Sequence, residues 1–160
     1  MRKINLTVLI KKIINHSKRI YNIYIIKRNK KFPFIAFVIF LLTILLSRCI
    51  VMWIEAGRPF LNFFRVSDYH VHHFYLGIFL LALSNWFFLF WNREGYIEEI
   101  KMFNVIIFGV GLGLITDEFG LLLTMEFDIK GEYWAPHSYY LMGILSGIFL
   151  YTIIKKSPSS

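Results

Sequence analysis

The chain has 160 residues, of which 57% are hydrophobic and 19% aromatic, a composition that excludes an ordinary soluble domain because so short a chain could not bury that much apolar surface. The 18 Lys and Arg against 10 Asp and Glu give a net charge of +8, but residues 1–31 hold ten of the basic residues and no acidic one, so the rest is close to neutral. A basic arm joined to membrane spans implies anionic lipid as its partner and argues against nucleic acid.

Within residues 1–31, Leu6, Ile10, Ile13, Ile20 and Tyr24 fall at helical spacing, with Lys11, Lys12, Lys18 and Arg19 mostly elsewhere on the wheel. The spacing predicts a basic amphipathic helix lying on the cytoplasmic membrane surface. Lys11 and Lys12 interrupt the apolar run and no small-residue cleavage site follows, which excludes a secretory signal.

Residues 32–154 are predicted to form an all-α domain of four transmembrane helices. Phe32–Ile54 is the first span, with 23 residues where about 20 suffice. Phe74–Trp91 is the second, Met102–Met125 the third and Tyr139–Ile154 the fourth, before a short tail over 155–160. The lone Cys49 lies in the first span and excludes an internal disulfide framework. The N-terminal arm, the Arg93–Lys101 loop and Lys155–Lys156 hold fourteen of the eighteen basic residues. By the positive-inside rule these segments, and both termini, face the cytoplasm of a multi-pass cell-membrane protein. The Glu55–His72 and Glu126–His137 loops then face out. Gly109 with Gly113, and Gly143 with Gly147, form GxxxG pairs that permit close helix approach, including a homo-oligomer through the glycine faces.

Asp117 and Glu118 stand in the otherwise apolar run GVGLGLITDEFG, where an ionisable group costs several kcal/mol unless it is paired, neutralised or ligated. Topology brings His70, His72, His73 and His137 to the same outer side. Imidazole nitrogens with carboxylate oxygens are the donor set of zinc and of non-haem iron or manganese. The expected site is therefore a divalent-metal centre drawn from His70, His72, His73, Asp117, Glu118 and His137. On a helix His70 pairs with His73, and in an extended segment with His72.

Depth decides whether these groups meet. A third helix running to Met125 would leave Asp117 about 12 Å below its outer end. One starting near Ile97 and ending by Gly120 would lift the carboxylates to the histidines. A competing expectation needs no metal: Arg48, in the outer half of the first span, neutralises Asp117 or Glu118 as a buried ion pair.

HVHHFYLG at 70–77, GLGLITDEFG at 111–120, and Glu126, Asp128 and Tyr133–Trp134 together resemble a family of small prokaryotic integral membrane proteins. That family pairs an HHxxxG element with a GLxxDEF element in a later span and carries no assigned activity. The resemblance covers roughly His70 to His137 and implies that His72, His73, Gly77, Asp117 and Glu118 matter together. It implies no reaction.

Two functions follow as expectations. One is metal-assisted hydrolysis or transfer on a membrane-embedded substrate, with Asp117 and Glu118 as the catalytic carboxylates and one of them as general base to a metal-bound water. The other is a non-catalytic membrane module or small ion transporter in which Arg48 and a carboxylate form a structural pair.

Overall fold

The computed structural model describes residues 6–57, 65–66, 69–70, 72–91, 98–124 and 134–155. Its fold is all-α, with six helices among the described residues: α1 (Leu6–Tyr21), α2 (Lys31–Glu55), α3 (His73–Trp91), α4 (Glu98–Asp117), α5 (Phe119–Thr124) and α6 (Pro136–Ile154). Between α2 and α3 a two-residue antiparallel ladder pairs β1 (Arg65–Val66) with β2 (Tyr69–His70).

Helices α2, α3, α4 and α6 are each long and apolar enough to cross a membrane. Their outward faces carry large apolar side chains in the open, among them Leu45, Leu46, Phe79, Leu89, Phe103 and Ile144. Such a surface is stable against acyl chains and would aggregate in water. Two spans begin earlier in the chain than their apolar runs. α4 starts at Glu98, where Glu98 and Glu99 favour the positive end of the helix dipole. α6 starts at Pro136, in its first turn, where a missing N–H costs nothing.

The third span also ends earlier than Met125. The main helix stops at Asp117, Glu118 occupies a turn, and α5 restarts the chain one residue later. Of the two depths open on sequence grounds, the structure has the carboxylates at a helix end.

α4 is the centre of the bundle, packed between α2 and α3. Its glycines decide that placement. A methyl group on Gly109 would lie 2.9 Å from the Ala36 carbonyl oxygen of α2, and one on Gly113 would lie 2.7 Å from Thr43 Cβ. Gly111, turned the other way, meets Gly77 of α3, where a methyl group would come within 2.8 Å of the Gly111 carbonyl oxygen. The first GxxxG pair thus packs against α2 inside the chain. Around Gly143 and Gly147 of α6 there is open space.

α1 runs through a π-helical segment, Asn22–Ile26, into a tight turn at Asn29, whose φ of 53° lies in the left-handed region that Asn tolerates. Val8, Leu9, Ile10, Ile13 and Ile14 of α1 are exposed, and Ile25 alone in this N-terminal part is buried. At the far end of the turn Lys31 pairs with Glu98, tying the start of α2 to the start of α4.

Candidate functional site

The end of α4, the start of α3 and the C-terminal third of α2 meet in a buried polar network. Asp117 is its centre. The Arg48 Nε–H of α2 donates to Asp117 Oδ1 at 2.9 Å, and His73 Nε2 lies 3.1 Å from Oδ2. The second ring nitrogen of His73, Nδ1, lies 3.4 Å from Glu118 Oε1, which His72 Nδ1 also approaches at 3.2 Å. Glu118 Oε2 accepts the backbone N–H of Phe74 at 2.9 Å.

Local structure explains why these residues converge. His72 immediately precedes α3 and His73 is its first residue, so the helix N-terminus presents an imidazole on each side of the first turn together with an N–H that has no intrahelical acceptor. A carboxylate is the natural partner of such an end. The turn at Glu118 rotates the two adjacent acids away from helical phase, so that both face α3.

A serine holds the break open. Ser138 Oγ–H of α6 donates to the Asp117 carbonyl oxygen at 3.1 Å and accepts the Gly120 N–H at 3.0 Å. One hydroxyl thereby satisfies the last turn of α4 and the first turn of α5, both of which leave backbone groups without helical partners. Above Arg48, the Tyr139 and Trp134 rings face the guanidinium at 4.3 and 5.3 Å, and Trp134 Nε1–H donates to Glu55 Oε1 at 3.2 Å.

The network is nearly closed to solvent. The Asp117 side chain has no exposed surface, whereas His72 and His73 keep 11% and 18% of theirs.

With this geometry in view, no known protein family, curated protein or solved structure matches the chain. The site has to be understood from its own atoms.

Those atoms lend the metal expectation no support. Among the described residues, no group of three or more His, Cys, Asp or Glu side chains is placed to hold a metal ion. The physical reason is occupancy: each of the four carboxylate oxygens of Asp117 and Glu118 already faces a protein donor, and both ring nitrogens of His73 face carboxylates. A cation would have to displace Arg48 or an imidazole.

His137 is exposed on the first turn of α6 and takes no part in the network; its neighbour Ser138 turns inward instead. The His70 backbone lies in β2, and its side chain is outside the described residues, as are Glu126 and Asp128. Among the described side chains, the histidines brought together are the adjacent pair His72 and His73.

His73 lies between the two carboxyl groups, its Nε2 hydrogen-bonded to Asp117 Oδ2 and its Nδ1 at ion-pair distance, 3.4 Å, from Glu118 Oε1. An imidazole so placed has a nitrogen for each acid, and either nitrogen can carry or accept a proton.

Proposed function

We propose that this chain is a proton-handling integral membrane protein in which His73 passes a proton between Glu118 and Asp117 at one membrane face. The observation that carries the reading is the bridging imidazole: a ring can accept at one nitrogen and release at the other without moving, and intramembrane relays are built from Asp, Glu and His. His72, against the same Glu118 oxygen, is a second imidazole at this acid. Arg48 favours the charged form of Asp117, so a proton taken up by the cluster rests on the His73 and Glu118 side of it. The positive-inside rule puts this face outside the cytoplasm, with both termini and fourteen of the eighteen basic residues on the opposite side.

Infrared difference spectroscopy of the protein in mild detergent tests this. Raising the pH is expected to remove a protonated-carboxyl band from the wild-type spectrum, a band absent from Glu118→Gln and displaced in His73→Phe. No titrating carboxyl band in the wild type, or one that neither variant changes, would remove the relay.

A second reading has its own observation. Every oxygen of Asp117 and Glu118 is partnered, and Asp117 is sealed from solvent, which suits a structural clasp joining α2, α3 and α4 without transfer. Under that reading the same variants lose stability, and no carboxyl band titrates in the wild type.

A further inference from the structure

At the other end of the bundle, α2, α4 and α6 diverge and leave a groove of about 410 Å³, within the ~300–1,000 Å³ range of ligand sites. Its walls are almost wholly apolar. Phe32, Pro33 and Ala36 line it from the first turns of α2, Phe108 and Leu112 from α4, and Phe149 from α6. Phe149 is held rigidly there, its ring packed on Phe37 and Phe40 at centroid distances of 5.4 and 5.6 Å.

The rim is of opposite character. Lys31 immediately precedes Phe32. The Arg28 NH1 group donates to the Ile154 carbonyl oxygen at 2.8 Å, placing a guanidinium at the last turn of α6. Lys155 follows directly, its ammonium 5.4 Å from the Tyr151 ring. Cations from two separate segments thus converge where α2 begins and α6 ends. Among the described residues, Lys31 alone of these three pairs with an acid, Glu98.

An apolar slot with a basic mouth, lying along helices that cross a bilayer, matches one class of molecule. We propose that the groove is a binding site for an anionic phospholipid, one acyl chain lying between α2, α4 and α6 and the phosphate held by Arg28 and Lys155. The apolar lining suits a chain, and the charge at its mouth selects the headgroup. This site is independent of the His73 network, which lies at the opposite ends of α2 and α4.

The test compares phosphatidylglycerol with phosphatidylcholine of identical acyl chains, added to the full-length protein in mild detergent and read by native mass spectrometry and thermal unfolding. Phosphatidylglycerol is expected to be retained and to raise the unfolding midpoint more than phosphatidylcholine does. Arg28→Gln keeps an N–H for the Ile154 carbonyl while removing the charge; combined with Lys155→Ala it is expected to lower phosphatidylglycerol affinity by roughly 30-fold. Thr152→Phe, at an exposed rim position, is expected to exclude both lipids while preserving the lipid-free midpoint. Equal binding of the two lipids, full retention of phosphatidylglycerol by the charge variant, or protein dimers occupying the groove in place of lipid would each overturn the assignment.

Discussion

Arg48 carries the only permanent positive charge in direct contact with Asp117 among the described residues, and it does so with 11% of its side chain exposed. Removing one member of a buried ion pair leaves the other uncompensated, which costs about 3–5 kcal/mol, whereas replacing both with apolar groups of similar volume is often close to neutral. Arg48→Met alone is therefore expected to lower the unfolding midpoint sharply, and Arg48→Met with Asp117→Leu to recover most of the loss. A double variant no more stable than the single one would show that the pair is not what links α2 to α4 at this end. The crowding of donors around both carboxylates makes a second expectation: incubation with a chelator leaves the midpoint unchanged, and elemental analysis of untagged protein finds no stoichiometric zinc, iron or manganese.

Among elements, α4 owes its position to glycines that have different neighbours on different sides. Inserting a methyl group where atoms already stand within 3 Å forces backbone or side-chain movement that costs typically ~1–3 kcal/mol. Gly113→Ala meets Thr43 and Gly77→Ala meets the Gly111 backbone, so both are expected to destabilise. Gly143→Ala and Gly147→Ala meet nothing and are expected to stay within about 0.5 kcal/mol of wild type. Unfolding of the four variants in mild detergent checks the contrast. Ser138→Ala belongs to the same scale, since losing the hydroxyl strips partners from two helix ends at once, and a cost of about 1–2 kcal/mol is expected by analogy with lost helix caps.

For the whole molecule, the disposition of the spans is tested by labelling single cysteines in a Cys49→Ser background. Asn62→Cys is expected to react with an impermeant reagent from outside intact cells and Glu94→Cys only after permeabilisation. The four spans and the importance of His72, His73, Asp117, Glu118 and Arg48 were legible in the sequence because charge at membrane depth is costly enough to demand a partner. The Arg48–Asp117 pair was legible too, as one of two expectations, but the partners of the histidines were not. Donor chemistry says that imidazole and carboxylate can ligate a metal, but it is silent on whether those atoms are already occupied, and here they face one another and Arg48. Ser138 was invisible for a related reason: its role depends on a helix break at Glu118 that no glycine or proline marks at that position. The Phe74 N–H escaped because backbone donors leave no trace in side-chain patterns.

Arg48 leaves the ribosome 69 residues ahead of Asp117, so the first span must enter the bilayer before its counter-ion has been made. An arginine at the centre of a span costs about 2.5–3.5 kcal/mol on insertion scales, and the flanking Leu and Ile of α2 easily offset that. Until α4 arrives, the guanidinium must reach for headgroups or water, and α2 sits shallow. Closure of the clasp would then draw it to its final depth, making the third span the step at which a nascent chain becomes resistant to membrane proteases.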